Sequence, residues 1–243
     1  MKILTAHQPA YLPWLGYFHK IAISDVFVIL DDVQLEKNGF SNRNKIKGPN
    51  GAFWLTVPIA MDGHTHKTIK DMKINNKINW RKKHFRSIQD SYRKAPYYEQ
   101  YINFFEDCYS REWDNLVDLT EFMLKWFLDQ LSIDVELRRM SEYSFQDKKS
   151  DLVLSVIKKF DADLYVSGSC GKDYIKQDSF KDNNIDIYFQ EYLHPEYNQL
   201  HKDFVSHMSV LDLLFNYGGK KAFEIIMDKN VSKDQLKSKE IKL

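Results

Sequence analysis

Lys2-Ile3-Leu4-Thr5-Ala6-His7-Gln8-Pro9 opens the first readable unit of the chain, and Val26-Phe27-Val28-Ile29-Leu30-Asp31-Asp32 closes it. Lys2 to Ala6 reads as a short buried strand that runs straight into a loop holding His7, Gln8, Pro9 and Pro13. Leu15, Phe18, His19 and Ala22 share a face at helical spacing, which predicts a helix from Trp14 or Leu15 to about Ile23. Val26 to Leu30 is a short apolar run between polar residues, the pattern of an interior parallel strand. Strand, helix and strand within about 30 residues make a βαβ unit, so an α/β fold with a right-handed crossover is expected.

Outward from that unit, Gln34 to Asn50 is polar and basic; Asn38, Gly39, Asn42, Asn44, Gly48, Pro49 and Gly51 predict a long loop there. Ala52 to Ile59 follows as a strand. Helices are expected over about 80–93, 97–108 and 113–131, the last with an apolar stripe of core type. Val135–Met140, Asp163–Val166 and Ile185–Phe189 read as strands, Asp151–Phe160 as a helix, and two helices are expected near 209–216 and 219–228. The expected architecture is one α/β domain over 1–228, a Rossmann-like parallel sheet with a helical insertion at about 77–131. From Lys229 to Leu243 the composition is that of a polar tail or frayed helix.

Composition sets the outer bounds. The 243 residues are 43% hydrophobic and 28% charged, which excludes a disordered or collagen-like chain. Lys+Arg number 35 against 34 Asp+Glu, so no global basic field favours DNA. Two cysteines, Cys108 and Cys170, stand far apart, which excludes a disulfide framework or zinc ribbon. The N-terminus breaks its apolar run too early for a signal peptide, and no stretch approaches a membrane span. A cytoplasmic protein without membrane insertion is expected.

Five constellations carry chemistry. His7 and Gln8, with Tyr11 and Trp14 behind them, sit where a strand opens into a helix N-terminus, the edge at which open α/β sheets take ligands. His7 as a cap and the rings as core is the plainer reading. Asp31-Asp32 at the end of the second strand suits a magnesium ion or a base, or else a turn. Arg43 and Lys45, among Asn42 and Asn44, suit phosphate, as they suit any exposed loop. Ser167-Gly168-Ser169-Cys170-Gly171-Lys172 suits a nest of amides around an anion, without Walker spacing, and Cys170 reads as an inert thiol. Gln190-Glu191-Tyr192-Leu193-His194-Pro195-Glu196-Tyr197-Asn198-Gln199, with His, Tyr and Gln in one short segment, suits a hydroxylated ligand. His64, His66, His84, His201 and His207 form no metal pattern, and no metal site is expected.

Taken together, His7-Gln8-Pro9, Tyr11-Leu12-Pro13-Trp14-Leu15-Gly16-Tyr17-Phe18, Asp31-Asp32-Val33-Gln34, Asn42-Arg43-Asn44-Lys45-Ile46 and Trp54-Leu55-Thr56-Val57-Pro58 resemble the WbqC-like proteins. Ser167-Gly168-Ser169, Gly171-Lys172-Asp173-Tyr174, His194-Pro195-Glu196-Tyr197 and Leu211-Asp212-Leu213-Leu214-Phe215-Asn216-Tyr217-Gly218 extend the resemblance over about 3–228. It implies a place in O-antigen or other surface-polysaccharide biosynthesis, with transfer of glycine or another amino acid to a nucleotide-linked 4-amino sugar of dTDP type. A second resemblance, to nucleotidylyltransferase-type domains, is confined to layout, because Trp14-Leu15-Gly16-Tyr17 stands where those carry His-x-Gly-His.

The expectation is an N-acyltransferase or amide ligase. Since amide formation from a free acid is uphill, an activated donor is required: ATP with magnesium, aminoacyl-tRNA or acyl-CoA. His7 is the expected base or oxyanion stabiliser, and Asp32 with Asp31 would orient the amine or a magnesium ion. Arg43, Lys45, Ser167, Ser169 and Lys172 would hold phosphates; Gln8, Tyr11, Trp14, His194 and Tyr197 would line the pocket. The alternatives are a non-catalytic nucleotide-sugar or glycan binder and a nucleotidylyltransferase, with a homodimer left open.

Overall fold

The computed structural model describes residues 1–36, 39–60, 67–238 and 240; Asn38, His64 and His66, considered above, lie outside the described residues. β1 (Ile3–His7), α1 (Leu15–Ala22) and β2 (Val26–Ile29) form the βαβ unit read from the sequence. A hairpin of β3 (Arg43–Gly48) and β4 (Gly51–Thr56) follows, then α2 (Trp80–Tyr92), α3 (Tyr98–Ser110) and α4 (Leu116–Gln130). The chain continues through β5 (Glu136–Arg139), α5 (Lys149–Lys159), β6 (Leu164–Ser167), α6 (Gln177–Lys181) and β7 (Asp186–Phe189). It then forms α7 (Val210–Met227) and α8 (Lys233–Lys237).

Five of these strands make one sheet in the order β5-β2-β1-β6-β7, every pairing parallel. Side chains alternate across it. Leu4, Ala6, Val26, Val28 and Tyr165 pack on Leu152, Val156 and Ile157 of α5 and Phe180 of α6. On the other face Phe27 and Ile29 join Phe18, Phe127, Leu211 and Phe215. Ile3, Leu164 and Val166 meet Ile23 and Leu236. Helices thus cover both faces of a sheet whose inner strands β1, β2 and β6 are largely apolar, the α/β architecture expected of near-continuous hydrophobic strands, while the edge strand β5 is mostly charged. Each such side chain contributes about 1.5–3 kcal/mol by leaving water. No helix among the described residues is long and apolar enough to cross a membrane.

Two expectations need correction. The stretch 34–50 is not loop throughout: Arg43–Gly48 is β3, paired antiparallel with β4 apart from the main sheet. Its polar residues are buried because distant carbonyls satisfy them. The Asn44 amide donates to the Leu12 carbonyl at 2.6 Å, and the Lys47 ammonium donates to the Asp203 carbonyl at 2.5 Å and that of His201 at 3.3 Å. Pro49-Asn50 turns the hairpin, with Gly51 at φ +104°, where glycine avoids the cost a side chain would meet. Nor is the segment after Lys229 a free tail. Ser232 and Gln235 form a capping box on α8, Leu236 is fully buried, and Lys233 and Lys237 both pair with Asp25, at 2.8 and 3.1 Å. The two helices expected near 209–216 and 219–228 are both present within α7, where Gly218 is non-helical at φ +73° and ψ 164° and divides them.

Candidate functional site

The order of strands decides where a ligand can enter. Successive connections leave β1 toward β2 and leave β6 toward β7, so the winding reverses between the two central strands. Open α/β sheets bind ligands at the carboxyl ends of such a pair. The ladder itself opens there. β1 pairs with β2 as far as His7 opposite Ile29, and β6 with β7 as far as Ser167 opposite Phe189, yet β1 and β6 part after Thr5 opposite Val166. Past that point the Val166 carbonyl accepts from the Thr5 hydroxyl at 2.8 Å, and the Ala6 carbonyl accepts from the Lys20 ammonium at 3.2 Å. This gap between the diverging carboxyl ends of β1 and β6 is the switch-point crevice.

His7 stands at its mouth, partly exposed. Its Nδ1 lies 3.0 Å from the Gln8 carbonyl, which can only accept, so the proton resides on Nδ1 and Nε2 keeps its lone pair. The edge of the Tyr17–His7 ring pair closes one side at 5.0 Å. Burial, and next the charge of Lys20, pull the His7 imidazole down to about 3, so it is neutral at physiological pH. Lys20 itself is 4% exposed, and burial takes its amine down to about 7. Gln8 is held by the Ser41 hydroxyl, 3.3 Å from its Oε1.

On the β6 side, Ser167 is buried, with its hydroxyl donating to the Gly168 carbonyl at 3.1 Å. Gly171 folds over it; a Cβ there would lie 1.9 Å from the Ser167 oxygen. Gly168 has open space where a Cβ would stand, and Ser169 beyond it is exposed. Lys172 turns to solvent and pairs with Glu191 at 2.8 Å, a contact of surface type.

The acidic pair does not converge on the crevice. Asp31 is fully buried and spends both oxygens on Ser141, accepting its amide at 2.9 Å and its hydroxyl at 2.5 Å. Asp32 pairs with Lys70 at 2.9 Å. A magnesium ion shared by the two is therefore not supported by their geometry, and among the described residues no group of three or more potential ligands could hold a metal. Arg43 and Lys45 lie on β3 with Trp54 of β4, at 4.4 and 5.0 Å from its ring, rather than in a phosphate-gripping loop.

Of the aromatic residues, Trp14 and His194 come together, stacked within 5° at 6.4 Å, and His207 lies 5.4 Å from Trp14. The His207 amide donates to Nε2 of His194 at 3.0 Å, which leaves the His194 proton on Nδ1, toward the Pro195 carbonyl at 2.9 Å. Gln190, just past β7, ties this platform to α1: its amide donates to the Gly16 carbonyl at 2.9 Å and lies 2.7 Å from Nδ1 of His19. Tyr197 is buried, donating to Asp212 at 3.0 Å; burial raises the Asp212 carboxyl to about 6 despite the Tyr197 and Tyr92 hydroxyls. Tyr11 is withdrawn altogether. Its hydroxyl contacts Tyr109 and lies 2.8 Å from His84 Nδ1, inside the helical layer.

Sequence reasoning included Gln190 in a ligand-recognising segment but missed Lys20, His207 and Asp212. Lys20 alone left a signal, as a cation one residue from His19 on the helical face assigned to the core. The others reach their partners over long sequence separations that no local pattern marks.

One relative, the uncharacterized protein Rv1507c of Mycobacterium tuberculosis, is 32% identical over 222 residues, covering 90% of this chain and 96% of that protein. The model of the WbqC-like protein family matches residues 8–224, a span that runs from Gln8 at the crevice mouth to the end of the kinked helix. With its parallel sheet, its split central strands and that match along nearly its whole length, the chain belongs to the WbqC-like protein family.

Proposed function

We propose that the chain is an N-acyltransferase that joins an acyl group, glycyl in the first instance, to the amino group of a nucleotide-linked 4-amino-4,6-dideoxy sugar destined for a surface polysaccharide. The observation that carries this reading is the neutral His7 imidazole at the mouth of the switch-point crevice, its Nε2 lone pair without a protein partner among the described residues. In the reaction the sugar amine attacks the acyl carbonyl, a C–N bond forms, and the bond to the activating group breaks with that group keeping the electron pair. The amine must shed a proton, and in this reading His7 Nε2 receives it. A phosphate-bearing ligand beside it would offset the Lys20 charge that helps hold His7 down. The Trp14–His194–His207 platform offers flat faces for a base or sugar ring.

ATP through an acyl-adenylate is the simplest donor, with aminoacyl-tRNA and acyl-CoA as the others. Asp31 and Asp32 do not fit a magnesium ion, so no step is assigned to them. The engagement of both acids, Asp31 with Ser141 and Asp32 with Lys70, favours one competing reading, a binder of nucleotide sugars without turnover.

Mass spectrometry decides between them. The chain is incubated with a dTDP-linked 4-amino sugar, magnesium, glycine and ATP, then with glycyl-tRNA or glycyl-CoA in place of glycine and ATP. A donor-dependent gain of one glycyl unit is expected. Intact sugar with every donor, together with saturable sugar binding by calorimetry, would replace the transferase with the binder.

A further inference from the structure

The crevice holds a cation that no carboxylate pairs with among the described residues. Lys20, 4% exposed on α1, makes one hydrogen bond, to the Ala6 carbonyl at 3.2 Å, from an ammonium that carries three donors. Among the described residues no carboxylate pairs with it, and burial alone accounts for its lowered basicity. Its place is specific. Ala6 is the residue at which β1 leaves β6, because the last pair between those strands is Thr5 with Val166. Above it are His7, which feels its charge, and the β6 end at Gly168, where a Cβ would meet nothing within 4 Å.

A buried ammonium with unused donors and no counter-ion is unfavourable until an anion reaches it. An oxyanion arriving there would gain charge-assisted hydrogen bonds and restore the protonated form. We propose that Lys20 is the anion-binding residue of the crevice and receives an oxyanion group, phosphate or carboxylate, of a ligand entering between His7 and Gly168. That the anion is a phosphate of the sugar nucleotide or of the activated donor rests on the acyl-transfer reading; the anion site does not.

The test uses the full chain with pyrophosphate, inorganic phosphate and glycine as separate probes, followed by calorimetry and by the imidazole resonances of His7. Saturable pyrophosphate binding that moves the His7 signals is expected, weakened at least about tenfold in Lys20→Met and largely kept in Lys20→Arg. Binding of glycine alone, equally dependent on Lys20, would uphold the site and assign it to a carboxylate. Absence of binding by all three probes, or binding undiminished in a folded Lys20→Met, would overturn it. Should Lys20→Met not fold, carbon-13 at the Lys20 side chain of the unaltered protein decides: its resonance shifts on adding pyrophosphate if the site is right and stays if it is wrong. Turnover that survives Lys20→Met with no anion binding removes the site and leaves the reaction. Anion binding through Lys20 without turnover does the reverse.

Discussion

Asp31 and His7 leave neighbouring strands at the same edge of the sheet and meet opposite fates. Asp31 is sealed, so Asp31→Ala orphans the amide and hydroxyl of Ser141 and should cost about 2–4 kcal/mol. Asp32→Ala, which breaks an exposed pair with Lys70, should cost under about 1 kcal/mol. Urea midpoints read both, and a larger loss at Asp32 would refute the assignment. His7→Ala removes a ring with one hydrogen bond, so the melting temperature should hardly move while kcat/KM for acyl transfer falls about 10²-fold or more. Unchanged turnover would end its proposed role. The sequence placed both residues at a strand end, and that much is legible from the apolar run before them. Which of two adjacent acids turns inward is not, since it depends on Ser141, 110 positions away.

Among the elements, the βαβ start was readable because its hydrophobic period changes from buried run to helical stripe and back within one short stretch. Of the hairpin, β4 was readable as the strand expected from Ala52, but β3 was not. Asn44 and Lys47 look like loop residues until the Leu12, His201 and Asp203 carbonyls that satisfy them are in place. The α8 segment hid in the same way: a single buried Leu236 among charges carries no periodicity. Leu236→Ala should cost about 2–5 kcal/mol, far more than an exposed tail would show in a urea melt. Two glycines make a contrasting pair. A Cβ on Gly219 of α7 would stand 1.8 Å from the Gln130 carbonyl, whereas one on Gly168 would meet open space. Gly219→Ala should therefore cost about 1–3 kcal/mol, and Gly168→Ala, at φ −70°, should stay within about 0.5 kcal/mol. Equal losses in thermal melts would contradict the packing described.

For the molecule as a whole, buried histidines set the acid limit. Burial takes His7 down to about 3 and His19 and His84 to about 4, so below about pH 6.5 the unfolded chain accepts protons that the folded chain refuses. Stability is then lost as the pH falls. Asp212, raised to about 6, acts in the opposite sense, since its folded form keeps a proton that the unfolded carboxyl has released. These imidazoles outweigh the one carboxyl, so the net effect is a loss of stability as the pH falls between about 6 and 4. Urea denaturation at pH 7, 6 and 5 should show that decline; a flat profile would mean the imidazoles are not buried as described. The family was legible from the order of motifs along the chain, while the crevice needed the third dimension. That crevice has a history in synthesis as well. Its two walls, at Thr5 and Val166, are 161 residues apart in the chain. At about 5–20 residues per second, the central strand waits about 8–30 seconds for its second neighbour to be made. Through that interval the edge of β1 that will border the crevice is an unpaired strand edge, open to any extended peptide nearby, and the newborn chain depends on speed or shelter rather than on its own stability.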